Sequence, residues 1–155
     1  MPRNTTASRG FTLVELAVTL TVLGLLLAFS VPAFNRINQS YQLKSATQNV
    51  SGTLRLWRER SIARGTEHQI HFNNFVPGTD WHVHEYNAAG VEIALRGGPG
   101  FPAGVRLYTS TISPRFTKDG REKNGLSGAI VLQNQNQSGV TRDTVSVLAS
   151  GLILE

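Results

Sequence analysis

The chain has 155 residues, 15 of them basic and 10 acidic, for a formal net charge of +5. There is no cysteine, which excludes disulfide staples and thiol nucleophiles. The mild basicity permits contact with nucleic acid or an anionic membrane surface without requiring either, and the length suits one modest domain plus an extended element.

Residues 1–10 are short and polar, with Arg3 and Arg9 as their only charges, and read as a leader. Removing them leaves 13 − 10 = +3. Gly10 and Phe11 follow Arg9. Glu15 is then a lone carboxylate at the head of Leu16–Phe34, 19 residues (34 − 16 + 1) without charge. A run of that length spans a bilayer as a helix. A carboxylate deep in such a run costs about 2.5–3.5 kcal/mol, so Glu15 calls for a partner. Segment 11–34 is apolar on all faces, as lipid or a filament core requires. Pro32 lacks an N–H and crowds the preceding turn, which predicts a kink. With both arginines ahead of the run, the positive-inside rule keeps the N-terminus cytoplasmic and the rest outside.

After Phe34 the helical period continues in a polar setting. Leu43, Ala46, Val50, Leu54, Trp57 and Ser61 recur at three- and four-residue steps and predict a packed stripe over 35–64. Arg55 and Glu59 stand at i and i+4 and are expected to pair, and Gly65 is a stop signal. A helix from Phe11 to Arg64 would be about 80 Å long.

From Gly65 the period becomes two. Gln69–Phe72 and Trp81–His84 alternate around a Pro77-Gly78 turn. Pairing 72 with 81 puts Ile70, Phe72, Trp81 and Val83 on the core face. Further strands are expected at Val91–Leu95, Val105–Thr109, Gly128–Gln133, Asp143–Ala149 and Leu152–Leu154, with Gly97–Gly100 and Asn134–Gly139 as turns. The fold class is α+β: a long N-terminal transmembrane helix packed on an antiparallel β-sheet domain, 65–155.

Arg9-Gly10-Phe11 with Glu15 and the apolar run resembles the type IV pilin-like signal. The resemblance implies prepilin peptidase cleavage after Gly10, N-methylation of Phe11, and a carboxylate at Glu15 that pairs with the Phe11 amine of a neighbouring subunit. Pro32 falls where many such proteins carry a proline. The order of helix then strands, with Phe116-x-x-Asp119-Gly120, Gly128-x-Ile130-x-Leu132 and a last strand ending at Gly151, resembles the GspH/FimT branch of minor pilins and pseudopilins. That implies a single-pass inner-membrane protein with a periplasmic β domain and other pilin subunits as partners, in a type II secretion pseudopilus or a type IV pilus. A secretory signal peptide is the rival reading, with cleavage after Ala28-Phe29-Ser30, but it leaves Glu15 and Gly10-Phe11 unexplained.

Two side-chain groups invite other functions. His71, His82 and His84 share the outward face, where strand alternation predicts a solvated surface and three imidazoles offer a zinc site as the alternative. Arg115, Lys118, Arg121 and Lys123 cluster around Gly120, and Arg55, Arg58, Arg60 and Arg64 lie late in the helix. Either set offers phosphate contacts, which makes a DNA-uptake minor pilin the alternative function. Some FimT-like proteins bind DNA through a C-terminal Gly-Arg-x-basic motif. Here that place reads Gly151-Leu152-Ile153-Leu154, without its bases. No nucleophile elbow, phosphate-cradling loop or paired zinc signature appears, so neither an enzyme nor a cofactor is expected.

Overall fold

Helical backbone begins beside Thr12 and continues to the Gly65 stop. A computed structural model describes residues 10–72, 80–98, 100–135 and 141–155, apart from the side chains of 32 and 33. Helix α1 spans Leu13–Arg64 and runs through Pro32 without ending. Eight strands follow: β1 Glu67–His71, β2 His82–Tyr86, β3 Glu92–Gly97, β4 Val105–Ser110, β5 Arg115–Phe116, β6 Gly128–Asn134, β7 Arg142–Val147 and β8 Ile153–Leu154. The chain divides into two compact units, Met1–Ile37 and Asn38–Glu155. The second half of α1 therefore belongs to the same unit as the strands.

The expected antiparallel β domain is built as two four-stranded sheets, β3-β2-β1-β5 and β4-β6-β7-β8. Among the described residues the strand pairs are antiparallel, and β1 pairs β2 in the expected register, His71 opposite His82. The strand β5 has two residues, too few to show a period, and it adds Phe116 to the core. The Pro77-Gly78 turn, Pro99 and 136–140 lie outside the described residues. Strand β3 extends to Gly97, and Gly98 lies against the indole of Trp81. A Cβ at Gly98 would stand 1.9 Å from Trp81 Cε2, so only glycine fits.

One core joins the helix to both sheets. Leu43, Ala46, Val50, Leu54 and Trp57 of α1 meet Ile70, Phe72, Val83 and Phe116 from the first sheet. Val105, Ile130, Leu132, Val145, Val147 and Ile153 come from the second. Ser61, the last residue of the predicted stripe, is also buried. Each fully buried aliphatic side chain contributes about 1.5–3 kcal/mol by area. Arg55 reaches Glu155 at 3.5 Å rather than pairing with Glu59. Arginine placed N-terminal to glutamate is the weaker order for an i,i+4 pair, because it opposes the helix dipole. At the far end, Gly151 is buried at φ +79, where a Cβ would lie 1.9 Å from the Gly120 carbonyl oxygen. Arg58 Nε donates to that same carbonyl at 2.7 Å, binding the 117–121 loop to the helix.

Candidate assembly site

Within the first unit, the described residues of the apolar helix are exposed. Phe11 is 86% exposed, Leu13 84% and Phe29 76%. The most apolar window of the helix has a mean hydropathy of 2.2 and no buried share. Leu13–Ile37 is 25 residues (37 − 13 + 1), about 37 Å of helix, enough to cross a hydrocarbon core of about 30 Å. Gly10 is exposed as well, and a Cβ built there meets nothing within 4 Å. Among the described residues nothing crowds the Gly10-Phe11 bond.

Glu15 has a partner inside its own chain. Thr12 N donates to Glu15 Oε2 at 2.8 Å and Thr12 Oγ1 donates to the same oxygen at 3.0 Å. In return, Glu15 N donates to Thr12 Oγ1 at 3.2 Å. This is a reciprocal capping box, in which a threonine and a glutamate three residues on satisfy each other's N–H groups at a helix start. The Thr12-x-x-Glu15 spacing was readable in the sequence, but reading Glu15 only as a buried charge passed over it. The carboxylate also sits at the positive end of the helix dipole. A carboxylate offers about four accepting positions, and Thr12 uses two.

The basic groups are largely engaged by the chain itself. Arg115 Nε and a terminal nitrogen both lie 2.7 Å from Glu67 Oε2, and Lys123 Nζ lies 2.8 Å from it. Arg115 also stacks on Tyr86, 3.6 Å from the ring centre. Burial raises the Glu67 pKa, but the bonds and charges of Lys123 and Arg115 outweigh it and hold the carboxyl below its ordinary value. Lys118 and Arg121 remain exposed on the loop. On the helix, Arg60 lies over Trp57 and Arg64 approaches Glu85 at 3.8 Å. At the C-terminus Leu152 and Leu154 are exposed. Glu155 adds an acid there, accepting from Ser51 Oγ beside Arg55.

His71, His82 and His84 do come together, and the face they share is not the solvated one expected. His82 is 2% exposed and the His84 side chain 17%. Strand alternation assigns a face but does not say whether that face is covered. Burial, with the charges of its histidine neighbours, lowers the pKa of both His71 and His82.

His68 is the histidine the sequence reading passed over. It alternates with Ile70 and Phe72 and so belongs to the core face, where it is 0% exposed. Its Nδ1 lies 2.9 Å from Ser61 Oγ, and its Nε2 lies 3.8 Å from Glu85 Oε1. The serine hydroxyl donates its only proton to the Trp57 carbonyl at 2.9 Å. It therefore accepts from His68 Nδ1–H, the reverse of what nucleophile activation needs. Ser61 and His68 tie the end of α1 to β1, and the desolvation of His68 lowers its pKa.

The exposed part of α1 is long and apolar enough to cross a membrane, and the second half of the helix packs in the core of a two-sheet unit. Residues 5–31 match the prokaryotic N-terminal methylation motif, and residues 46–151 match Type II transport protein GspH. The chain belongs to the GspH family. It is 27% identical over 154 residues to fimbrial protein Q of Moraxella bovis, covering 90% of this chain and 87% of that protein. Two crystal forms of the Pseudomonas aeruginosa type IV minor pilin FimU share its fold at 16% identity. Their TM-scores are 0.58 and 0.52, over 76% and 72% of this chain and 90% of each FimU chain. This is a GspH/FimT-like minor pilin or pseudopilin, a structural subunit of a type IV pilus or type II secretion system and not an enzyme.

Proposed function

We propose that this subunit is cleaved after Gly10 by a prepilin peptidase and methylated on Phe11. It then waits in the inner membrane with its N-terminus cytoplasmic and its β unit periplasmic. The observation that carries this reading is the accessible Gly10-Phe11 bond beside Glu15, at the start of an exposed apolar helix. In the waiting state Thr12 caps the Glu15 carboxylate. On assembly the carboxylate accepts the Phe11 ammonium of a neighbouring subunit, which removes two unpaired charges from an apolar core. Pro32 removes one helical hydrogen bond and gives the packed helix a place to bend. DNA contact ranks second, because Arg115 and Lys123 are held by Glu67.

Glu15→Ala and Glu15→Gln test the assembly role. Both variants should insert in the membrane and keep a folded β unit, but fail to co-purify with other pilin subunits. Normal co-purification, together with normal piliation or secretion, would remove Glu15 from the mechanism.

A further inference from the structure

The second sheet carries a row of polar side chains across three of its strands. Arg106 stands opposite Gln133, and Gln133 stands opposite Arg142, so the row crosses β4, β6 and β7 in one line. Leu107 and Leu132, one step along, belong to the core, and alternation puts the row on the face turned away from it. The register of β4 against β6 shifts between Leu107 and Thr109. Tyr108 is the extra residue of that bulge, a feature that re-aims side chains. The Arg142 guanidinium lies 3.6 Å from the centre of the Tyr108 ring. Since β6 lies between β4 and β7, the Arg142 side chain crosses β6 to reach the ring, over Gln133.

The first pointer to a ligand is charge. Arg55, Arg64 and Arg115 lie 3.5, 3.8 and 2.7 Å from carboxylates of this chain. Among the described residues neither Arg106 nor Arg142 has such a partner, and both are exposed. The second is a buried amide. Gln133 is 7% exposed, and among the described residues its Oε1 accepts no hydrogen bond. A buried acceptor without a donor is costly.

We propose that this face docks an acidic, extended segment of a neighbouring pilin subunit. Its carboxylates bind Arg106 and Arg142, and one of its main-chain N–H groups reaches Gln133 Oε1. Guanidinium forks match carboxylate and phosphate alike. A phosphodiester backbone offers acceptors only, whereas an aspartate offers a carboxylate and an N–H within one residue. A cation held on an exposed ring is held weakly, so a carboxylate can draw Arg142 off Tyr108 and open the way to Gln133. The bulge disfavours addition of a further strand to the edge strand β4, which leaves the face as the docking surface. The identity of the partner rests on the assembly reading above. The contact itself uses neither Gly10 nor Glu15, so either reading can fail alone.

The test uses the full chain in neutral detergent micelles near neutral pH. The probe is a fluorescein-labelled peptide of alternating aspartate and valine, read by fluorescence anisotropy. Saturable binding is expected. The double variant Arg106→Gln, Arg142→Gln should weaken it by about tenfold or more, the effect of losing hydrogen bonds to charged groups. Arg142→Lys keeps the charge without the fork and should recover only part of the affinity. Lys118→Gln with Arg121→Gln should leave it unchanged, because those residues lie on another loop. A peptide with asparagine in place of aspartate should not bind, an arm that leaves the protein untouched. No saturable binding, equal affinity for the asparagine peptide, or unaltered affinity in the Arg106 and Arg142 double variant overturns the proposal. Tighter binding of an oligothymidylate or of anionic phospholipid vesicles than of the acidic peptide overturns it too, and assigns the face to phosphate.

Discussion

The two halves of α1 obey opposite rules. Leu13–Ile37 is apolar on every face and covered by nothing in its own unit. Between Asn38 and Arg64 the stripe of Leu43, Ala46, Val50, Leu54 and Trp57 is buried, while Tyr41, Leu56 and Ile62 stay exposed: Leu54 is 0% exposed where Leu20 is 60%. A helix that packs on one side within its own chain keeps a polar side for water. A helix that is apolar all round is made for lipid or for other chains. The same secondary structure therefore carries two functions, and the change of pattern near residue 37 marks where the intramolecular one begins.

Leu54→Ala and Leu20→Ala separate those rules most sharply. The first should cost about 2–5 kcal/mol of β-unit stability, as expected for a buried leucine truncated to alanine. The second should leave that stability within about 0.5 kcal/mol. Urea unfolding of the full chain in detergent, followed by tryptophan fluorescence, reads both. Equal losses would mean that the first half of the helix is also held by its own chain.

Gly151→Ala probes the far end of the packed half. It puts a Cβ against the Gly120 carbonyl and forces a side chain into a positive-φ conformation, a backbone cost of about 1–3 kcal/mol before the clash. The same melts should show that loss, and an unchanged midpoint would mean that the 117–121 loop moves aside freely.

Acid should also act on the packed half. Burial is the first cause of the lowered pKa of His68, His71 and His82. The unfolded chain therefore binds more protons than the folded one once pH falls below the ordinary histidine value of about 6.5. The stability these neutral imidazoles confer is fully present above that value and is lost as pH falls beneath it, by at most about 1.4 kcal/mol per pH unit for each histidine. Unfolding midpoints at pH 7.5, 6.5 and 5.5 should decline in that order. A flat profile would contradict the burial of these rings.

The smallest effect belongs to the first half. Thr12→Ala removes the reciprocal cap and should cost about 1 kcal/mol of local helix, which amide exchange over residues 12–16 would register as faster opening. Unaltered exchange there would mean the cap carries no weight.

How far the sequence reveals this molecule follows the range over which each pattern acts. The stripe from Leu43 to Ser61 was legible because helical packing repeats every three or four residues. The β1–β2 register was legible because alternation and a single pairing choice set the core face. The two-residue β5 carries no period, and the division of the strands into two sheets depends on contacts far apart in the chain. At the site, Gly10, Phe11 and Glu15 stood out by their spacing, and the Thr12 cap was visible but overshadowed by the question of charge. Burial of the histidine face was not legible, since alternation cannot tell what covers a strand. The engagement of Arg115 and Lys123 by Glu67 was equally hidden, because it joins residues 48 and 56 positions apart.

The most direct test of an exposed half-helix kept for assembly is the intact mass of the protein extracted from membranes. Loss of residues 1–10, with a methyl group on Phe11 and the whole of α1 retained, is the predicted result. A mature N-terminus at Val31, after Ala28-Phe29-Ser30, would mean that the apolar half is discarded as a secretory signal, and would contradict the assembly role of Glu15.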